Sequence, residues 1–314
     1  MKIAIVGAGA MGCLYGSRLS VTGHEIWLLD IMEEHMETIR RNGLTVLEKN
    51  KDGFEETYIF RHLKATTKPD EIGQVDLALI FVKSTITHLA VINNRAIFGP
   101  DTLILTLQNG LGNVEDILSA SQSTNIIAGT TAHGASMLGP GKIRHSGIGK
   151  TIIGELSGES TDRILSIAQL FNAAGLETEV SENVLGLIWD KLLVNVGINA
   201  LTAITGLQNG KLVLNREIEE LLELLVAEAQ MVAQVKGICL NFPDPITHTK
   251  QVCRATGENI SSMLQDILNH RKTEIDQING AIIKEGKLLG IDTPVNVVLR
   301  NLVKAKETDY EGLQ

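Results

Sequence analysis

The chain has 314 residues, enough for two domains of ordinary size. Hydrophobic residues make up 44% and the mean hydropathy is +0.11, which suits a globular protein with large buried helices; the net charge of −9 argues against a nucleic-acid surface, which needs a basic stripe. Cys13, Cys239 and Cys253 show no CxxC spacing and fit a reducing cytoplasm, the eight histidines form no HxxxH or HExxH pair so no metal is expected, and no apolar run approaches the ~18 residues of a membrane span.

The first half alternates strands and helices. Lys2–Val6 reads as a strand, 7–12 as a glycine turn and 10–21 as a helix. A second strand is expected at Glu25–Leu29 and a second helix at Glu33–Asn42. Further strands are expected at 77–82, 103–107, 126–131 and 151–153. This alternation predicts an α/β domain with a parallel, doubly wound sheet. The glycine-rich stretch 134–154 suggests antiparallel strands added at one edge. From about Ser181 long helical patterns take over, at 181–201, 216–236, 244–254, 273–289 and 295–307. The expected organisation is therefore residues 1–180 as a dinucleotide-binding domain and 181–314 as an all-helical domain.

Gly7-Ala8-Gly9-Ala10-Met11-Gly12 matches GxGxxG between a strand and a helix. Gly7 permits the tight turn, Gly9 lets backbone approach a pyrophosphate, and Gly12 lets the helix pack close to the strand. Asp30 ends the second strand, where a carboxylate can accept hydrogen bonds from ribose hydroxyls or cap the next helix. Ile31 follows it; the nearest arginines, Arg40 and Arg41, come only at the far side of that helix. This pattern favours NAD(H), since a 2′-phosphate would be repelled by Asp30. Lys83 and Asn109 follow later strands, where the ligand crevice of such a sheet lies. A solvated lysine and a plain Asn-Gly turn are the alternatives.

The stretch 185–201, LGLIWDKLLVNVGINAL, is an apolar helix carrying Lys191, Asn195 and Asn199 at four-residue intervals. At roughly 100° per residue these three share one stripe. A lysine facing an apolar interior costs several kcal/mol unless partnered or deprotonated. The stripe therefore reads as a polar-ligand site. Trp189 is expected to pack and Asp190 to lie on the surface.

GAGAMG, VKS at 82–84, QNG at 108–110, GTTAHGA at 129–135, WDKLLVNVGINALTAI at 189–204, QNG at 208–210 and ENISSMLQDILNHRKTEIDQING at 258–280 together resemble the ketopantoate reductase (2-dehydropantoate 2-reductase) family, nearly end to end. The resemblance implies a Rossmann-type domain, a helical domain, and catalysis in the cleft between them. It implies reduction of 2-dehydropantoate to (R)-pantoate, a cytoplasmic step toward pantothenate and coenzyme A, with NADP(H) as the usual cofactor. On that resemblance Lys191 is the proton donor; Asn195, Asn199, Asn209 and Ser262 bind substrate; Asn109 touches substrate and cofactor; and Lys83, Ala135 and Glu274 lie on the cofactor side. Family members that use NADPH commonly carry arginine in place of Ile31 and a small residue in place of Asp30. Here the expected preference is NAD(H).

Each assignment has a structural alternative. Asn209 can serve as a turn residue, Ser262 as a helix N-cap and Glu274 as compensation for a helix dipole. Ser262 and Glu274 can share a site only if the chain breaks between them, near residues 269–273. Burial should lower the pKa of Lys191, and Glu274 should oppose this. The functional alternatives are an NAD-dependent 2-hydroxyacid dehydrogenase of other specificity and a non-catalytic dinucleotide sensor. Expected partners are a small 2-keto acid and a second copy in a possible homodimer, with no nucleic acid or membrane.

Overall fold

The computed structural model describes residues 1–50 and 52–308; the last six residues of the expected helical domain lie outside them. Two compact units emerge. The first holds Met1–Gln108 and Asn113–Val184; the second holds Asn109–Gly112 and the chain from Leu185 onward.

In the first unit the chain runs β1 (Lys2–Val6), α1 (Ala10–Leu19), β2 (Glu25–Leu29), α2 (Glu33–Asn42), β3 (Leu44–Lys49), β4 (Glu55–Phe60), β5 (Lys64–Thr66) and β6 (Leu77–Ile80). It continues through α3 (Thr87–Asn93), β7 (Leu103–Thr106), α4 (Asn113–Ser121), β8 (Ile126–Thr131), β9 (Gly134–Gly139), β10 (Lys142–Gly147), β11 (Thr151–Glu155), α5 (Asp162–Ala173) and β12 (Thr178–Val180). The main sheet has the order β12-β11-β8-β7-β6-β1-β2-β5. Its pairs are parallel except β11 against β8. Alternate residues of its strands feed two cores. Ile3, Ile5, Leu79 and Leu105 pack with Leu14 of α1 and Phe171 of α5, while Ala4, Val6, Ile80 and Ile104 pack with Val91 of α3 and Ile117 of α4. Burial on both faces explains why these strands read as continuous apolar runs. The arrangement is a Rossmann-type, doubly wound α/β sheet.

A second sheet, of order β4-β3-β10-β9, departs from expectation. The last piece of the glycine-rich stretch, β11, does add an antiparallel strand to the main sheet beside β8, but β9 and β10 pair antiparallel with each other and β10 then pairs in parallel with β3 instead of joining that sheet. Its partner lies about a hundred residues earlier, so local sequence carried no sign of it. Two of the expected strands also end early: β6 stops at Ile80 and β7 at Thr106.

The second unit is helical: α6 (Val184–Thr205, whose first residue belongs to the first unit), α7 (Arg216–Val235), α8 (Pro245–Ala255), α9 (Ser262–Leu268), α10 (Asn279–Leu289) and α11 (Pro294–Thr308). Its core joins Leu193, Val196 and Ala200 of α6 to Leu222, Val226 and Ala229 of α7, with Ile282 and Val303. The chain breaks after α9, over 269–273. The helix expected from Thr273 begins only at Asn279, so Glu274 lies in a turn before it rather than in a first helical turn. Contrary to the sequence reading, α6 is long and apolar enough to cross a bilayer, but its most apolar window is 67% buried within the protein, which marks it as a core helix. Asp190 is a second correction. Only 6% of it is exposed, because its Oδ2 accepts hydrogen bonds from the backbone N (3.1 Å) and Nδ2 (2.8 Å) of Asn241. Trp189 packs in the core.

Candidate active site

The glycine turn closes the end of β1 between its neighbours. Gly7 N donates to Leu29 O and Phe81 N to Val6 O, so the turn faces the carboxyl ends of β2 and β6. Gly7 has φ +91°, and a Cβ there would stand 2.5 Å from Val82 N. A Cβ on Gly12 would meet Gly7 O at 2.1 Å, so only glycine lets α1 start this close to the strand. Around Gly9, by contrast, a Cβ would find no protein atom within 4 Å. Gly9 is also the N-cap of α1, which has no side-chain cap and no acid in its first turn. Open space before an uncapped, positive helix end fits a pyrophosphate. Ala8 is buried in this turn, and Ala10 and Met11 are half-buried.

Asp30 follows β2 directly. Its N donates to Thr66 O, and its Oδ1 accepts from Met32 N at 3.1 Å, while Met32 itself is the N-cap of α2. Ile31 is 91% exposed, and Arg40 and Arg41 sit in the last turn of α2. Lys83 is exposed and precedes a short 3-10 turn, Ser84–Ile86. Ala135 lies in β9 opposite His145. Gln108 joins two of these loops: its Nε2 donates to Val82 O at 2.7 Å and to Thr87 Oγ1 at 2.8 Å.

In the second unit, Lys191, Asn195 and Asn199 follow one another along α6. Lys191 and Asn195 are half-buried and Asn199 is 5% exposed. The side-chain amides of Asn195 and Asn199 have no hydrogen-bond partner among the described residues, so the fold does not consume them. Burial lowers the pKa of Lys191 from 10.5 to about 8, against a smaller upward pull from the carboxylate of Glu274. Desolvation therefore wins the contest that the sequence left open. Glu274 is 7% exposed.

Asn209 opens a 3-10 turn, Asn209–Val213. Its N donates to Asn259 O and its Nδ2 to Thr256 Oγ1 (2.9 Å), while its Oδ1 is buried and unpaired among the described residues. A buried acceptor without a donor is costly, and a substrate hydroxyl would satisfy it. Ser262 is exposed at the first position of α9; the N-cap is Ser261, whose Oγ accepts from Leu264 N. Asn109 groups with this unit although it follows a strand of the other. A Cβ on Gly110 would meet Gln277 O at 2.6 Å, and Leu111 N donates to that same carbonyl.

Sequence reasoning passed over the amides that brace this helix. Asn279 Nδ2 donates to Val196 O (3.4 Å) and to Asn296 Oδ1 (2.9 Å), and Asn296 Nδ2 donates to Glu228 Oε2 (2.7 Å). The available signal was two asparagines on otherwise apolar helical faces.

Fold and site chemistry define a class: a Rossmann-type, nicotinamide-dependent oxidoreductase. The family model described as ketopantoate reductase PanE/ApbA matches residues 3–158, and its C-terminal counterpart matches residues 183–307. The chain belongs to the ketopantoate reductase family. It is 35% identical to the 2-dehydropantoate 2-reductase of Halobacterium salinarum, over 98% of this chain and 100% of that relative. The crystal structure of a PanE/ApbA family ketopantoate reductase from Ralstonia eutropha superposes with a TM-score of 0.89 at 34% identity, covering 99% of this chain and 100% of that one. D-mandelate dehydrogenase in ternary complex with NADH and anilino(oxo)acetate is equally similar: TM-score 0.91, 33% identity, 99% and 100% coverage.

Proposed function

We propose that this enzyme reduces a 2-keto acid to the 2-hydroxy acid, with ketopantoate as the substrate, (R)-pantoate as the product and NAD(H) as the preferred cofactor. The observation that carries the reading is Lys191: a lysine with its pKa lowered to about 8, on one stripe with two uncommitted amides. A bound nicotinamide supplies hydride to the keto carbon. The glycine turn Gly7–Gly12 and Asp30 hold the cofactor, with Lys83, Ala135, Asn109 and Glu274 on its side. Lys191, as the ammonium, hydrogen-bonds the keto oxygen, stabilises the charge that develops there, and gives up its proton to the alkoxide. A pKa near 8 keeps the lysine mostly protonated at neutral pH yet makes it a stronger acid than a free lysine. Asn195, Asn199 and Asn209 hold the substrate's hydroxyl group, Ser262 its carboxylate, and Asn109 touches both substrate and cofactor.

The NAD(H) preference rests on Asp30 and the uncharged Ile31. Similarity to D-mandelate dehydrogenase, solved with NADH, supports a second reading in which a 2-keto acid with another side chain is the true substrate. Initial rates with ketopantoate and with benzoylformate, each under NADH and NADPH, separate these. Ketopantoate with NADH should give the highest kcat/KM. A tenfold preference for benzoylformate would transfer the assignment to the second reading. The exposed apolar residues Leu221, Leu224, Met231 and Val235 recur along α7 and support a homodimer, testable by light scattering. Cys13, Cys239 and Cys253 form no disulfide among the described residues, which accords with the proposed cytoplasmic location.

A further inference from the structure

His35 takes no part in the chemistry above, yet it is fully buried on α2 and touches the glycine turn. Its Nδ1 accepts a hydrogen bond from Gly141 N at 2.8 Å, in the tight turn between β9 and β10. An acceptor at Nδ1 places the proton of the neutral ring on Nε2. Nε2 lies 2.9 Å from Ala8 O and donates to it. Cys13 Sγ also donates to that carbonyl, at 3.1 Å. The Ala8 carbonyl is thus pinned from the inside of the turn.

A trans peptide bond points its C=O and its following N–H in opposite directions. Fixing Ala8 O against His35 and Cys13 therefore aims Gly9 N–H away from them, and the backbone at Gly9 is open, since a Cβ there would find no protein atom within 4 Å. We propose that His35 is a positioning residue: through the Ala8 carbonyl it orients Gly9 N–H as a donor to the pyrophosphate of the cofactor. It also ties α2, the helix that follows Asp30, to the turn and to the β9–β10 hairpin that carries Ala135. This inference rests on the glycine turn being the dinucleotide site.

The test measures Kd for NADH and NADPH by titration of the purified protein, with kcat and keto-acid KM at saturating cofactor. In His35→Leu, both dinucleotides should weaken by the same factor, about tenfold, as expected for one lost buried hydrogen bond and a loosened donor. Values of kcat and keto-acid KM should stay within about twofold of wild type. His35→Gln keeps an acceptor and a donor on one terminal amide and should restore both Kd values to within about threefold. A wild-type Kd in His35→Leu, or equal loss in the Leu and Gln variants, overturns the proposal while leaving the cofactor site standing. If His35→Leu does not fold, His35→Asn replaces it. Its shorter amide reaches one partner, so an undiminished affinity there also refutes the idea. Failure of the wild-type protein to bind either dinucleotide removes the glycine-turn reading, and this inference with it.

Discussion

Replacing Lys191 with methionine separates the energetic cost of the site from its chemistry. The ordinary pKa of 10.5 falls to about 8 in the folded chain. Each pH unit between those values is worth about 1.4 kcal/mol, so the ammonium costs the folded state about 3 kcal/mol at pH 7. The sign follows from proton counts. Between pH 8 and 10.5 the unfolded chain holds a proton on Lys191 that the folded chain has lost, so the stability of the wild type rises with pH across that window. By pH 10.5 less than about 0.5 kcal/mol of the penalty remains. Lys191→Met removes the titration but also leaves Glu274 without its cation.

The expected result is therefore a difference of slopes. Urea unfolding followed by tryptophan fluorescence, with Trp189 reporting on the helical unit, should show the wild type gaining about 3 kcal/mol relative to Lys191→Met between pH 7 and pH 10.5. The same variant should lose 10²–10⁴-fold in kcat, the usual range for removing a general acid, while keeping its affinity for the dinucleotide. Parallel pH profiles for the two proteins would show that burial does not perturb Lys191. A reduction rate surviving within about threefold would refute its role as the acid.

The same pKa sets the pH dependence of turnover: kcat for keto-acid reduction should be level below pH 8 and fall tenfold per pH unit above it, as the ammonium is lost, which initial rates between pH 6 and 10 would show. Asp30→Gly combined with Ile31→Arg should move the ratio of kcat/KM for NADPH over NADH upward by at least tenfold, since it removes a repelling carboxylate and adds a cation; an unchanged ratio would mean that cofactor choice lies elsewhere. Asn209→Ala should raise keto-acid KM by about tenfold with a smaller change in kcat, because the buried, unpaired Oδ1 is proposed to accept from the substrate and takes no part in the proton transfer; a loss confined to thermal stability would make it a turn residue only.

What the sequence disclosed and what it hid follow one physical rule. Features fixed by local geometry were legible. GxGxxG encodes a turn that only glycine can make, and a polar stripe at helical spacing on an apolar helix is costly enough to demand a reason. Features fixed by distant partners were not. The strand β3 buries Leu44, Val46 and Leu47, but its parallel partner β10 lies in another part of the chain. Asp190 looked like a surface charge because Asn241, which donates two hydrogen bonds to its Oδ2, is 51 residues away. Glu274 was placed in a helical turn, whereas it sits before α10 and acts on Lys191 across the helical unit.

His35 is the sharpest case. On an amphipathic helix beside Met36 and Ile39, a buried histidine carries no periodic signal of its own. Its meaning comes from two backbone groups, at Ala8 and Gly141, that lie 27 and 106 residues off. Backbone partners leave no side-chain pattern to search for. A sequence therefore announces the residues that meet a ligand more readily than those that aim them, because the first must break the apolar pattern while the second need only complete a hydrogen bond.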